Sequence, residues 1–112
     1  MRLTQLLRLQ WAGYRRTHQS RLNLAIHTLT VPMSISGTVL AGYAIATFSF
    51  QLLVVGLAAN GLALGLQGLG HRFERNAPEP FDGFGSAAVR VLCEQWVTFP
   101  RFLLTGSWRD RQ

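Results

Sequence analysis

Residues 28–70, TLTVPMSISGTVLAGYAIATFSFQLLVVGLAANGLALGLQGLG, contain no Asp, Glu, Lys or Arg. One membrane-spanning helix needs roughly 20 apolar residues, so the chain between His18 and Arg72 has room for two. We place the spans at about 22–47 and 51–72, with the polar tract of Thr47, Ser49 and Gln51 as the turn between them. Pro32 and Gly37 interrupt the first span. Membrane helices tolerate such breaks where neighbours re-satisfy the freed backbone groups, so Pro32 reads as a kink and not an end. Gly56, Gly61, Gly65, Gly68 and Gly70 make the second span rich in small residues. Gly61 and Gly65 have the GxxxG spacing of close helix packing.

Outward from this stretch the character changes on both sides. Arg2, Arg8, Arg15, Arg16 and Arg21 fall in the first 21 residues without one acidic residue. Leu3, Leu6, Leu7, Trp11, Tyr14 and His18 follow helical spacing, which predicts an amphipathic helix over about 2–18 lying at the interface. Ser20 is suited to cap the helix that follows. On the other side, Pro78, Pro80, Asp82 and Gly83 mark a loop over 76–85. Ser86 then caps a last helix over about 86–105, which Pro100 breaks or kinks. Its tail carries Trp96, Phe99, Phe102 and Trp108 among arginines, a mixture suited to the headgroup level of a membrane. The expected fold is all-α: a small integral membrane helical bundle, two transmembrane helices flanked by amphipathic N- and C-terminal helices. At 112 residues it forms one domain, 1–112.

The charge balance narrows the function. Eleven basic residues, all Arg, stand against five acidic ones, for a net +6, yet 48% of the chain is hydrophobic. Clustered basic charge is a footprint of nucleic-acid binding, but no nucleic-acid motif accompanies it and half the chain is apolar. Arginines flanking apolar spans fit instead the excess of basic residues on the cytoplasmic side of membrane proteins, which puts both termini in the cytoplasm. An Arg-only basic complement points to a GC-rich bacterial genome, hence to a bacterial inner membrane. Cys93 is alone, so no internal disulfide exists. Residues 1–21 lack the apolar core of a cleavable signal peptide. Gly68-Leu69-Gly70 follows no strand and lacks the third glycine of a dinucleotide fingerprint.

The few polar side chains near the spans are ordered. Asn23, His27, Thr30, Ser34 and Thr38 recur every three or four residues, which puts them on one stripe of the first span. Asn60, Gln67, His71 and Glu74 form a similar stripe on the second. Polar groups in hydrocarbon are costly unless paired, so the two seams are expected to face each other or a shared wet pocket. His27 sits where the chain enters the membrane and His71 where the antiparallel return helix leaves it. His18, ending the preceding helix on its packing face, is delivered to the same level. A lone histidine on an apolar helix is usually a packing residue, but here all three histidines of the chain converge. Glu74, one turn beyond His71, supplies a carboxylate. His18, His27, His71 and Glu74 are therefore the candidate metal ligands and catalytic residues. Iron, zinc and manganese all suit such a set, and open positions would suit non-haem Fe(II) chemistry with O2.

The pattern Tyr14-x3-His18-x4-Asn23-x3-His27-x3-Val31-Pro32, followed by Gln67-x2-Gly70-His71-x2-Glu74-x3-Pro78, resembles the Mpo-like family. That family takes its name from the fungal 2-hydroxy fatty acid dioxygenase of phytosphingosine breakdown. The resemblance implies a membrane-embedded, Fe(II)-dependent enzyme of fatty acid α-oxidation, which uses O2 to shorten a 2-hydroxy fatty acid by one carbon. On it His18, His27 and His71 are iron ligands or their immediate supports, with Glu74 and Asn23 at or next to the metal. Fe(II) is the expected cofactor, with zinc and manganese as alternatives. The expected partners are the 2-hydroxy acid, O2, the membrane and, as a candidate, a second copy of the chain. Arg21, Arg72 and Arg75, with Asn23 and Tyr14, are the candidate substrate contacts. The competing class is a non-enzymatic membrane scaffold or transporter subunit, in which the polar seams only lock the hairpin.

Overall fold

The computed structural model describes residues 2–109, and among them every regular element is helical. Helix α1 (Leu3–Thr17) leads to α2 (Arg21–Ala46), and a tight turn leads to α3 (Phe50–Gly70), which closes in a 3-10 turn, His71–Phe73. Beyond a loop, α4 (Phe84–Cys93) runs through a π-helical turn, Glu94–Thr98, into α5 (Phe99–Leu104). A further 3-10 turn, Ser107–Arg109, follows.

Helices α2 and α3 start where hydroxyl caps are available. Ser20 accepts the Asn23 N–H at 3.2 Å and Ser49 accepts the Leu52 N–H at 3.3 Å, each satisfying a donor that the first helical turn leaves open. Pro32 does not end α2, which continues to Ala46. The two helices form an antiparallel hairpin long and apolar enough to cross a membrane, over Arg21–Ala46 and Phe50–Phe73. Only 28% and 17% of their most hydrophobic windows are buried inside the protein, whereas the core helix of a soluble fold would be mostly covered. Leu29, Val39, Leu57 and Leu62 all point outward.

The close contact between the two helices is not at Gly61 and Gly65, as the GxxxG spacing suggests. A Cβ on either would meet nothing within 4 Å, so that stripe faces outward. The backbones instead touch where Gly37 meets Gly56: a Cβ on Gly37 would lie 2.7 Å from the Gly56 carbonyl oxygen, and one on Gly56 2.8 Å from that of Gly37. Helix rotation decides this, because Gly56 shares a face with Ala63 and Gln67, which are buried, while Gly61, Gly65 and Gly68 fall on the opposite side. One turn nearer the site, the Asn60 amide joins the hydroxyls of Ser34 (2.7 Å) and Thr38 (3.1 Å), so the mid-hairpin polar groups satisfy one another.

The C-terminal segment differs from expectation in three respects. Helix α4 begins at Phe84, with Gly83 and not a serine before it. Pro100 neither breaks nor ends the helical run, which continues from Phe84 to Leu104. Lacking an N–H, Pro100 cannot donate to the carbonyl four residues back, and the wide π turn directly precedes it, with Phe99 N–H bonded to the Glu94 carbonyl five residues earlier. Finally, Phe99 and Phe102 are not headgroup-level anchors. With Tyr14 and Val31 they form the core that seats α5 against α1 and α2, flanked by Trp11, Leu24, Ile35, Leu103 and Trp108. Trp96 does remain half exposed. Gln10 completes the attachment of α1: its amide donates to the Arg90 carbonyl at 2.9 Å and accepts from the Thr98 hydroxyl.

Candidate metal centre

Three helix ends deliver three histidines to one point. His18 caps the C-terminus of α1, His27 lies on α2 inside its N-terminal end, and His71 opens the 3-10 turn that finishes α3. Their ring centroids are 5.0 Å (His18 to His27), 4.7 Å (His18 to His71) and 5.2 Å (His27 to His71) apart. The planes cross at 87°, 82° and 89°, so the three imidazoles are mutually almost perpendicular. The fourth member is Glu94, the first residue of the π turn. Its Oε2 is 3.3 Å from His18 Nε2 and 3.6 Å from His27 Nε2. One donor atom from each of the four lies within 4.8 Å of every other.

The surrounding hydrogen bonds fix how these groups face one another. His27 Nδ1 lies 3.0 Å from the Asn23 carbonyl, and His18 Nδ1 lies 2.9 Å from the Tyr14 carbonyl and 2.9 Å from the Thr17 hydroxyl. A carbonyl only accepts, so both rings carry their proton on Nδ1 and turn a bare Nε2 toward Glu94. Buried His18 Nε2, His27 Nε2 and His71 Nδ1 have no hydrogen-bond partner among the described residues. Leaving one buried polar atom unsatisfied costs on the order of 1–3 kcal/mol. His18 Nε2 and His27 Nε2 beside Glu94 Oε2, with a His71 nitrogen within 4.8 Å of the other donors, are what a bound cation would satisfy, and the donor set, neutral imidazole with carboxylate, suits iron, zinc or manganese. Tyr14 holds the carboxylate: its hydroxyl donates to Glu94 Oε2 at 2.6 Å, and its ring stacks on His18 with centroids 3.7 Å apart and planes 12° from parallel. Burial, followed by the Glu94 charge, raises the Tyr14 phenol well above its ordinary pKa and keeps it a donor.

Of the residues singled out from sequence, His18, His27 and His71 come together. Glu74 does not join them, and its expected place is taken by Glu94. Both Glu74 oxygens are occupied elsewhere, by the backbone N–H groups of Gln19 (2.6 Å) and Ser20 (3.0 Å) and by Asn23 Nδ2 (2.7 Å). Tyr14 and Asn23 are both buried, and each donates to a carboxylate, Tyr14 to Glu94 and Asn23 to Glu74. Arg21 lines an open cleft with Leu24, Trp108 and Arg109, while Arg72 and Arg75 are exposed, and none of the three pairs with the cluster. Gln67 leaves the α2–α3 seam to form a reciprocal amide pair with Gln95, at 2.9 and 2.7 Å.

Glu94 carried one sequence signal: it is the only acidic residue between Gly83 and Arg109, set among Leu92, Cys93, Trp96 and Val97. Helical periodicity could not use that signal. In an ordinary α-helix neighbouring side chains diverge by about 100°, whereas the π turn lets Glu94, Gln95 and Thr98 all face inward.

Fold and site together define an all-helical protein with two long apolar helices and a buried cluster of three histidines and one carboxylate, the donor set of a metal centre. Residues 4–104 match the family described as 2-hydroxy-palmitic acid dioxygenase Mpo1-like, and the chain belongs to that family. No curated protein and no solved structure matches it.

Proposed function

We propose that His18, His27, His71 and Glu94 hold one iron(II) ion, and that the protein is a membrane-embedded, O2-dependent dioxygenase that shortens long-chain 2-hydroxy fatty acids by one carbon. The observation that carries this reading is the grouping of one donor atom from each of His18, His27, His71 and Glu94 within 4.8 Å of one another, in a chain of this family. When bound, iron(II) supplies redox chemistry with O2, and a 2-hydroxy acid offers it a carboxylate and a hydroxyl oxygen as further donors. The protein's own groups do the rest. The Tyr14 and Asn23 carbonyls hold two imidazoles in the tautomer that presents Nε2. The Tyr14 hydroxyl fixes Glu94 in place. Phe99, 5.5 Å from His27 between ring centroids, and Phe102, 6.2 Å from His18, cover one side of the centre and keep water from it. His71 and Glu94 are the more open members, which makes their side the way in.

The hairpin below the histidines explains how a lipid head would arrive. Twenty residues of helix rise about 30 Å, the thickness of the hydrocarbon core. With α2 and α3 crossing the bilayer, the centre lies at its basic face, which we assign to the cytoplasm, and the acyl tail of a substrate stays in the lipid. A scaffold reading accounts for Ser34, Thr38 and Asn60, which satisfy one another, but gives the three orphaned nitrogens nothing to do.

Reduced, iron-loaded protein in detergent is expected to consume O2 with a long-chain 2-hydroxy fatty acid and release the acid one carbon shorter, and to leave the non-hydroxylated acid unchanged. Identical product profiles with and without O2, across several chain lengths, would overturn the dioxygenase reading. A cysteine at Ser49 is expected to react only from the side opposite Gln5, and labelling from the same side would overturn the two-span reading.

A further inference from the structure

Glu74 lies outside the cluster, yet its surroundings link all three histidine-bearing segments. Its backbone N–H donates to the His71 carbonyl at 3.2 Å, tying it to the turn that carries that ring. Its carboxylate reaches across to the α1–α2 junction. There Oε1 accepts the N–H of Gln19, the residue after His18, at 2.6 Å, and both oxygens accept the N–H of Ser20, at 3.1 and 3.0 Å. These are open donors at the start of α2, where a negative charge is also favoured by the helix dipole. Oε2 further accepts from Asn23 Nδ2 at 2.7 Å. Asn23 is fully buried, and its own carbonyl orients His27 through Nδ1. The fit leaves no slack at the residue before His71: a Cβ on Gly70 would overlap Asn23 Oδ1. Gly70, Asn23 and Glu74 thus interlock at the rear of the cluster.

We propose that Glu74 is a positioning residue: its carboxylate, clamped by Gln19, Ser20 and Asn23, locks the segments bearing His18 and His27 against the one bearing His71. This rests on the metal reading above. It assigns the two carboxylates of this end different tasks, Glu94 facing the metal and Glu74 facing the backbone. Glutamine at position 74 keeps the shape and one acceptor oxygen but turns an NH2 toward donors, so the clamp weakens without emptying the space.

The test is a Co(II) titration of the detergent-purified full chain against a competing chelator, reading both affinity and the cobalt d–d absorption, which reports the donor set. Glu74→Gln is expected to lower affinity about 10–100-fold, the usual cost of losing a group that supports a ligand, with the d–d bands unmoved. Gly70→Ala, which leaves every charge in place but pushes Asn23 aside, is expected to do the same. Glu94→Gln is expected to move the bands themselves. Bands shifted by Glu74→Gln as they are by Glu94→Gln would make Glu74 a ligand and overturn the proposal. Unchanged affinity in both Glu74→Gln and Gly70→Ala would overturn it while leaving the metal centre standing. Wild-type protein that takes up no Co(II) would bring down the metal reading and this one together.

Discussion

The two ends of the α2–α3 hairpin are held by different physics. At the far end, residues 37–57, only two helices meet, joined by the backbone contact of Gly37 with Gly56 and by buried Ala44, with large side chains such as Phe48 and Phe50 turned outward. At the near end the same helices are wrapped by α1, the π turn and α5, and the interior is polar: Asn23, His27, Gln67 and Gln95 are all nearly inaccessible. The far end relies on small residues at its contact and turns its large apolar side chains outward. The near end needs each buried polar atom to find its partner, and leaves only a few without one, the histidine nitrogens among them.

Substitutions sharpen that contrast, and the largest effect is expected where α5 is seated. Phe102→Ala removes a fully buried ring that packs edge-on against Tyr14 at 5.0 Å, and should cost about 3–5 kcal/mol in a denaturant titration followed by helical circular dichroism. A loss under about 1 kcal/mol would mean that α5 is not part of the core. Next comes the far end, where Gly56→Leu forces the backbones apart and should cost about 1–3 kcal/mol or more, while Gly65→Leu, facing outward, stays within about 0.5 kcal/mol. Equal effects at the two glycines would place the helix contact wrongly. Smaller again is Tyr14→Phe, which keeps the stack on His18 but releases Glu94. Metal affinity should fall about 10-fold while the melting curve moves little. The smallest effect belongs to Asn60→Leu, which removes the link to Ser34 and Thr38 and should cost about 0.6 kcal/mol with no change in metal binding. A loss of metal in that variant would show that the two ends are coupled.

The same contrast decides what could be read from the sequence. The far end was legible because a charge-free stretch and a polar turn are local facts, and the three histidines were legible because antiparallel topology follows from a short turn. Which glycines touch was not, since Gly56 and Gly61 differ only in helix rotation, which neighbouring side chains set. Glu74 and Glu94 were not distinguishable either. Glu74 has the right spacing to His71 but meets backbone donors from a turn some fifty residues earlier, while Glu94 reaches the histidines through a π turn that no periodicity announces. Phe99 and Phe102 read as interface aromatics because nothing local says that Tyr14 and Val31 lie opposite them.

The central claim, one metal ion held by three histidines and Glu94, is tested most directly by elemental analysis of detergent-purified protein beside its His27→Ala and Glu94→Ala variants, each checked for helical content. The account predicts about one transition-metal ion per wild-type chain, with iron restoring it after chelation, and strongly reduced occupancy in both variants. Wild-type protein without a stoichiometric transition metal, or full occupancy retained in both variants, would contradict it.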